Sequence, residues 1–582
     1  MREYRVSTGS VVKTALADCR KSFRGVALFS AVVNLLMLAG PLYMLQVYDR
    51  VLSARSVPTL VALTIFLIGA YLFQGVLDII RARVVVRGAA LLDQHLDLDV
   101  HRAMVRLGAG ARGEQPQPLR DLDQIRSFLT GPGPIAIVDL PWIPIFLFVC
   151  FLIHPWLGLA SVAGALVLCV VTLMTERMSR APAQVLAREG AQRAGMAESS
   201  RRSSETILAM GMTPAMAARW SQANGRYLGA LWQVTDVVNA LGSVSKMVRL
   251  LLQSLILGLG AYLVIRGQLA AGAMIAASIM MGRALAPIET AIANWRSFVG
   301  ARQGAHRLSE TLALTGQPAP ATSLPAPRAT LAAESVAVFV PGREKPVVAQ
   351  VNFALNSGEA VGVIGPSGSG KTTLIRALVG AWPIGAGSVR IDGAALNQWN
   401  PNELGRNVGY MAQSVELFDG TVADNIARME MEPNSAAIIS AARAAGAHEM
   451  ITQLPGGYDA RVGDGGTALS AGQRQRIALA RALYRDPFLI VLDEPNANLD
   501  SEGDVALQTA LRDAKQRGAI VVLVAHRPSA LAECDKVLYL ANGVQQAFGP
   551  RDDVLRKVLV RSAQSPAPLR VVGEQALTAP DR

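Results

Sequence analysis

The chain has 582 residues, of which 51% are hydrophobic and 17% are charged. This length is too great for a single hydrophobic core, so two or more domains are expected. Soluble proteins usually carry about 25% charged residues, so the low charge and the mean hydropathy of +0.31 indicate a membrane-embedded part. The net charge of +12 does not indicate a nucleic-acid partner, because only 5% of residues are aromatic and the arginines fall at the ends of apolar segments. The four cysteines are too widely spaced for a zinc site or a disulfide framework.

Two charge-free runs follow a short polar segment, residues 1–24, which we expect to lie in the cytoplasm. Gly25–Tyr48 and Ser56–Leu77 have 24 and 22 residues, enough for each to cross a bilayer. The segment Asp49–Arg55 between them is predicted to be a tight outer connection. Basic residues precede the first run and follow the second, which places both ends of this helix pair in the cytoplasm.

Four more spans are predicted after this pair. Leu140–Thr175 is long enough for two, with a turn at His154, and Asp139 at its head is expected to start a helix at the membrane interface. Leu250–Ile265 and Gly267–Gly282 follow, and Arg283 is expected to break the last one. The long polar stretches between these pairs carry helical patterns and are predicted to be inner loops of helical structure. Residues 25–314 therefore form a predicted six-span domain.

The composition changes after this domain. Residues 315–330 are rich in proline and alanine and are predicted to be a linker. In residues 331–561 short β-rich runs alternate with helical ones, which indicates an α/β domain. Residues 562–582 show no periodicity and are predicted to be disordered.

A glycine-rich loop stands between an apolar run, Ala360–Ile364, and a helical pattern. Glycines let several backbone N–H groups point at one anion, and the helix adds its positive end. Lys371 can reach the terminal phosphates of a nucleotide, and the Thr372 hydroxyl suits Mg²⁺. The pattern predicts a phosphate-binding loop made of Gly365, Pro366, Ser367, Gly368, Ser369, Gly370, Lys371, Thr372 and Thr373.

A second apolar run, Phe488–Leu492, ends in two carboxylates. At the carboxyl end of a parallel strand, Asp493 is placed to hold Mg²⁺ through its water shell, and Glu494 to polarise an attacking water. A pair of carboxylates can also simply cap the next helix, but the preceding phosphate loop favours the catalytic interpretation. Ser470 is predicted to cap a helix start that could bind a phosphate; the motif around it is Leu469, Ser470, Ala471, Gly472 and Gln473.

Taken together, these motifs resemble the ATP-binding-cassette ATPases. In that family the signature motif of one subunit closes over the ATP held by another, and here Ala471 stands where glycine is usual. The resemblance implies that Gln413 contacts Mg²⁺ and the attacking water, that His526 contacts the γ-phosphate, and that Asp500 couples two sites. It implies ATP and Mg²⁺ as cofactors and, since one cassette cannot complete a catalytic pair, a homodimer.

One family feature is missing. The residue that usually stacks an aromatic ring on adenine falls at Val340, beside Phe339. Neighbouring strand residues point to opposite faces, so Phe339 is not expected to replace it. We therefore expect weak discrimination between ATP and GTP.

Three membrane segments, Pro41–Leu52, Asp139–Pro144 and Met281–Glu289, and the cassette segment Leu417–Ile426 resemble the permease/ATPases of type I secretion systems, in the protease-exporter group. The resemblance implies an α-helical, exporter-like membrane domain with six transmembrane helices, followed by an α/β P-loop ATPase domain. It also implies export of unfolded polypeptides with C-terminal signals, across the bacterial inner membrane and with the ATPase in the cytoplasm. The implied partners are a periplasmic membrane-fusion adaptor and an outer-membrane channel.

Two alternatives stay open at this point. One is a lipid or drug exporter that works without an adaptor. The other is an ATP-gated channel or regulator with little turnover, which the presence of Glu494 and His526 disfavours.

Overall fold

The computed structural model describes residues 14, 15, 17, 20–110, 117–315, 323–340, 345–525 and 528–563. The chain divides into two compact units, the first formed by Met1–Leu107 and Glu114–Gly316 and the second by Gly108–Gly113 and Gln317–Arg582. The residues of the predicted tail beyond 563 lie outside the described residues.

The first unit is helical. Its helices are Arg20–Leu36, Ala39–Gln46, a π-helix at Val47–Val51, Leu52–Ala54, Val57–Gly110, Pro118–Thr130, Gly133–Asp139, a 3₁₀ turn at Leu140–Trp142, Ile143–Ile153, Pro155–Arg202, Ser204–Ala209, Thr213–Ile265, Ala271–Ala293 and Trp295–Thr315. Within the part of the chain that the structure describes, six stretches are long and apolar enough to cross a membrane. We number them as spans 1 to 6: Phe23–Ala54, Val57–Gly108, Gly133–Ile153, Pro155–Arg202, Thr213–Ile265 and Ala271–Ala293. The predicted number of spans is confirmed, as is the turn at His154.

Spans 2, 4 and 5 are much longer than a bilayer needs. They contain 52, 48 and 53 residues, so at 1.5 Å per residue each is about 70–80 Å long, against a hydrocarbon core of about 30 Å. The polar stretches, which were predicted to be helical inner loops, are largely helical continuations of these spans.

The predicted outer connection at Asp49–Arg55 is wrong in its extent. The chain stays helical to Ala54 and turns at Arg55, which adopts a left-handed φ of 49°. Asp49 lies in this helical segment, next to the start of span 6. Its Oδ1 accepts a hydrogen bond of 2.8 Å from the backbone N–H of Gly272. The Asp49 side chain of span 1 thereby caps the first turn of span 6.

The expectation for Asp139 is also wrong. It does not start span 3, which begins six residues earlier at Gly133 and continues through the 3₁₀ turn Leu140–Trp142, and it is buried. Its carboxylate accepts hydrogen bonds from Arg81 at 3.1 Å and from Asn34 at 2.9 Å. Spans 1, 2 and 3 are thus joined by one buried polar cluster, which removes the cost of leaving Asp139 unpaired in an apolar setting.

Replacing the buried carboxylate should destabilise the first unit. We expect Asp139→Asn to lower the unfolding free energy by about 1–2 kcal/mol, since the Arg81 charge loses one of its two carboxylate partners and keeps only Asp78, while polar contacts between spans are worth less than in water-soluble cores. The matched control is Glu198→Gln, which breaks an exposed pair with Arg201 at 3.0 Å. Thermal unfolding in detergent measures both. Equal midpoints for the two variants would show that the buried cluster contributes no net stability.

Arg283 does not interrupt span 6, which is continuous over Ala271–Ala293. Arginine has a high helix propensity, so a charge within a helix does not end it.

The second unit is an α/β domain. Its strands are β1 Thr330–Val338, β2 Val348–Asn356, β3 Ala360–Ile364, β4 Ala386–Ile391, β5 Ala394–Ala395, β6 Val408–Met411, β7 Leu489–Asp493, β8 Ile520–Val524, β9 Lys536–Ala541 and β10 Val544–Pro550. Its helices are Lys371–Leu378, Pro401–Arg406, Val422–Ile426, Ser435–Ala444, His448–Thr452, Ala471–Leu483, Ser501–Gln516 and Arg551–Ala563, with short 3₁₀ turns at Leu396–Gln398, Gly457–Asp459, Asp464–Gly466 and Pro528–Leu531.

The strands form one sheet in the order β5-β4-β1-β2-β10-β9-β3-β8-β7-β6. Strands β9, β3, β8, β7 and β6 are parallel to one another, whereas β1 pairs antiparallel with β2 and β4. Every residue of β7 and β8 is buried, which explains their unbroken apolar sequences. Because parallel strands end at the same edge, this part of the sheet collects the loops that follow β3, β6, β7 and β8.

Candidate functional site

The sheet brings the predicted phosphate loop and the two carboxylates to one edge. Val363 of β3 pairs with Val524 of β8, and Val524 in turn pairs with Asp493 at the end of β7. On the far side of β7, Met411 of β6 pairs with Leu492, so the exposed Gln413 follows at the same edge. His526 comes directly after β8 but lies outside the described residues.

The loop after β3 has a backbone that requires glycine at two points. Gly365 has a φ of 156°, and a Cβ there would collide with the carbonyl oxygen of Leu540. Gly370 has a φ of 97°, and a Cβ there would lie 2.7 Å from Val348 Cγ2. The loop ends where Lys371 begins the helix Lys371–Leu378. The free N–H groups of this helix start are what a phosphate needs.

Lys371 folds back over the loop. Its Nζ donates to the carbonyl oxygens of Gly365 at 2.9 Å and Pro366 at 3.0 Å. Burial lowers the pKa of this ammonium group, and the nearby charges of Glu494 and Asp493 oppose that effect. Lys371 is therefore held beside the loop and close to both carboxylates of the β7 end.

Asp493 is fully buried at the bottom of this edge. Burial raises the pKa of its carboxyl group; the Thr372 hydroxyl lies close enough to oppose this rise, but neither carboxylate oxygen has a hydrogen-bond partner of normal geometry. The Ser369 hydroxyl is buried without a partner as well. A hydrated cation would satisfy these oxygens, so the donor set of Asp493, Thr372 and Gln413 fits Mg²⁺. No cluster of three or more His, Cys, Asp or Glu residues that could hold a metal occurs in the part of the chain that the structure describes.

Glu494 is held in a strained backbone conformation. Its φ is 52°, a left-handed value that costs a non-glycine residue about 1–2 kcal/mol. Its N–H donates to Val524 O at 3.1 Å, and its carbonyl accepts from Ala497 N at 3.2 Å. These bonds fix the point at which the chain leaves the sheet edge.

The signature motif forms a capped helix start, as predicted for Ser470. The Ser470 hydroxyl accepts from Gln473 N at 3.3 Å, and Gln473 Oε1 accepts from Ser470 N at 2.9 Å, which is a capping box before the helix Ala471–Leu483. Leu469 is buried, Ser470 and Ala471 are exposed, and Gly472 and Gln473 are partly so. No hydrogen bond or ion pair among the described residues of the chain joins Leu469–Gln473 to the phosphate loop.

Two residues that were not predicted as site residues connect this helix to the sheet edge that holds Asp493 and Glu494. The buried Gln475 accepts from Asn498 N at 3.1 Å and donates to the carbonyl oxygens of Glu494, at 3.4 Å, and Pro495. Arg476 donates to Asp500 Oδ1 at 2.7 Å. The only indication of the role of Gln475 in the sequence is its position on the buried face of an amphipathic helix. Its hydrogen-bond partners could not be identified from local sequence.

Asp500 caps the helix Ser501–Gln516. Its side chain accepts from Gly503 N at 2.9 Å. This hydrogen bond and the one from Arg476 hold the pKa of the Asp500 carboxyl below its usual range. The predicted coupling residue is thus ionised and linked to the signature helix.

The predicted adenine position has no aromatic ring of its own. Val340 is partly buried, and Phe339 beside it is 40% exposed. A Cβ at Gly385 would collide with the Phe339 ring, so that ring packs directly on Gly385. Introducing an aromatic side chain is therefore a test of base recognition that leaves the phosphate loop untouched.

We expect Val340→Tyr to tighten binding of ATP by roughly tenfold, because ring stacking on a base is worth about 1–3 kcal/mol. Titration of the purified protein with ATP measures the affinity. The control is Val505→Tyr, at an exposed position in the helix Ser501–Gln516. An unchanged ATP affinity in Val340→Tyr would contradict the assignment of this position to the base.

Comparisons with known proteins identify related proteins for both the helical unit and the α/β unit of the chain. Residues 348–497 match the family model described as ABC transporter, and residues 25–285 match the model described as ABC transporter transmembrane region. The chain is 49% identical, over 96% of its length and 97% of the relative, to the type I secretion system ATP-binding protein PrsD of Rhizobium meliloti (strain 1021). It is 30% identical, over 93% of its length and 77% of the relative, to the leukotoxin translocation ATP-binding protein LktB of Mannheimia glucosida.

A solved structure of a bacterial Atm1-family ABC exporter with ATP bound has the same fold. It aligns with a TM-score of 0.79 over 95% of this chain and 100% of that one, at 23% sequence identity.

Proposed function

Because this chain belongs to the ABC transporter family, we propose that it is the ATP-driven motor of a type I secretion system and exports proteins. The observation that carries this proposal is the 49% identity to a type I secretion ATP-binding protein over nearly the whole length of both chains. The chain is a multi-pass membrane protein with an ATP-binding ATPase domain, and ATP hydrolysis is coupled to transport. We retain residues 25–314 and 331–561 as the proposed domain limits.

The roles proposed for the site residues are supported by the arrangement of the sheet edge and, for His526, by the family resemblance alone. Loop N–H groups and Lys371 hold the phosphates, while Glu494 accepts a proton from the attacking water. Gln413 and His526 position that water and the γ-phosphate. Mg²⁺, held by Thr372, Gln413 and the water shell of Asp493, would supply neutralisation of phosphate charge.

A homodimer completes the site. Ser470 and Ala471 are exposed and do not contact the phosphate loop of their own chain, so they are available to a nucleotide held by a second copy. In a symmetric pair, each copy offers its signature motif to the other, which gives two equivalent ATP sites. Gln475 then links the motif that touches one nucleotide to Glu494, which acts on the other.

The cargo and partners are proposed from the same family. They are unfolded polypeptides with C-terminal signals, a periplasmic membrane-fusion adaptor and an outer-membrane channel. The motor would lie in the bacterial inner membrane among lipids, with its ATPase domain in the cytoplasm.

The secreted proteins of the host bacterium test this function. Removing the chain should abolish the export of at least one protein, and restoring it should recover export, whereas restoring the Glu494→Gln form should not. Mass spectrometry of the medium measures the result. An unchanged set of secreted proteins would instead favour a lipid or drug exporter, and recovery by Glu494→Gln would favour a channel or regulator with little turnover.

A further inference from the structure

Span 6 contains a charged residue that the ATPase mechanism does not use, Arg283. This span is the most enclosed of the six. In its apolar 18-residue stretch 56% is buried, whereas the corresponding share in the other spans is 11% to 33%. Within Gly272–Ile292, only Arg283 and Ala286 are exposed. They are three positions apart and lie on one face of the helix. The one open face of span 6 therefore carries an arginine.

Two other arginines that are largely buried within the spans have carboxylate partners. Arg81 is bound by Asp139 and Asp78, and Arg249 Nε donates to Glu289 Oε1 at 2.6 Å. Among the described residues, no hydrogen bond or ion pair is found for Arg283. An unpaired guanidinium facing hydrocarbon is costly, so the open face of span 6 is expected to meet water or protein.

Arg283 also lies near the middle of span 6. It follows Ala271, the first residue of the helix, by 12 residues and precedes Ala293, the last, by 10, so at 1.5 Å per residue both ends of the span are about 15–18 Å away. Long basic side chains reach the headgroups only near the ends of a span. A lipid phosphate is therefore a poor partner for this guanidinium.

Polar groups of span 5 extend this face. The amide of Gln253 lies against Gly282, where an added Cβ would be 3.7 Å from Gln253 Oε1. The side chains of Arg249 and Glu289 are 23% and 24% exposed, and their charges cancel. The face formed by spans 5 and 6 is thus polar, and Arg283 leaves it with a net positive charge.

We propose that Arg283 lines the path of the exported polypeptide and binds its aspartate and glutamate side chains. This inference rests on the proposed function, since it needs a polypeptide in transit. An unfolded chain presents its carboxylates unpaired, and a guanidinium can bind each of them with two parallel hydrogen bonds. The arginine would then favour cargo segments with excess negative charge, and two copies would present two such groups.

Cysteine labelling tests whether position 283 faces water. In a background in which Cys19, Cys150, Cys169 and Cys534 are replaced by serine, Arg283→Cys should react with a charged, membrane-impermeant thiosulfonate. The control Leu255→Cys, at an exposed apolar position of span 5, should not. Unimpaired ATPase activity shows that both variants are folded. Absence of labelling at position 283 in folded protein would overturn the proposal.

Export measurements test the charge preference. In the host bacterium, Arg283→Gln should reduce secretion of the most acidic cargo protein by about tenfold, as expected for one lost charged hydrogen-bonding group, and Arg283→Lys should keep most of it. In a cargo variant, the aspartates and glutamates are replaced by asparagine and glutamine. Secretion of this variant should be unchanged by Arg283→Gln. Arg266→Gln, which removes an exposed charge at the end of span 5, is the control.

The two proposals fail in different ways. If removal of the chain abolishes secretion but Arg283→Gln and Arg266→Gln export the acidic cargo equally, protein export stands and the role of Arg283 is disproved. If removal of the chain changes no secreted protein, protein export itself fails and the role of Arg283 fails with it.

Discussion

Glu494→Gln is expected to bind ATP normally and to lose steady-state hydrolysis by about 10²–10⁴-fold, the usual contribution of a general base. The amide keeps the shape of the carboxylate but cannot accept the proton of the attacking water. The backbone of Glu494 is held by Val524 and Gln475, so the substitution should not move the strand end. ATP turnover of the purified protein and retention of labelled ATP measure the two effects.

The same experiment needs a variant that changes charge without touching the site. Glu502→Gln serves this purpose, because Glu502 is exposed in the first turn of the helix Ser501–Gln516. Its turnover should equal that of the unsubstituted protein. Substantial turnover in Glu494→Gln would contradict the assignment of the general base. Trapped ATP in a stable dimer would support both the base and the shared site.

Lys371→Ala should lose nucleotide binding, with an affinity for ATP lowered by about 10²–10⁴-fold. The ammonium group can make two charge-assisted hydrogen bonds to phosphate oxygens, each worth about 1.5–3 kcal/mol. Both bonds disappear in the alanine variant. Titration with a fluorescent ATP analogue measures the loss.

The variant should remain folded, because among the described residues Lys371 Nζ donates hydrogen bonds only to the carbonyl oxygens of its own loop, Gly365 and Pro366. Lys557→Ala, at an exposed position of the helix Arg551–Ala563, is the control for loss of one positive charge. Unchanged ATP affinity in Lys371→Ala would mean that this loop does not hold the phosphates.

Local sequence correctly predicts those features that depend on residues close together in the chain. The apolar run Ala360–Ile364 is β3 with the predicted limits. Ser470 caps its helix as expected, because a capping box needs only residues three positions apart. Six spans follow from long charge-free runs, because a bilayer sets a minimum apolar length for any helix that crosses it.

Hydrogen bonds between residues far apart in the chain were not predicted from the sequence. Asp139 interacts with Arg81, 58 positions away, and this partner turns a residue expected at the membrane interface into a buried charge. Asp49 caps a helix that begins more than 200 residues later. No periodicity in either segment identifies such partners, because packing of separate helices brings them together.

The sequence by itself determined three features: the glycine-rich loop, the two carboxylates at the end of β7 and the signature motif. Each of them depends on backbone conformation or spacing within a few residues. Tertiary structure alone decided that Gln475 joins the signature helix to the backbone of Glu494, and that Arg283 occupies the one open face of an otherwise enclosed span. The physical reason is the same in both cases. Burial and hydrogen-bond partners depend on which distant segments pack around a side chain, and a linear pattern does not specify that packing.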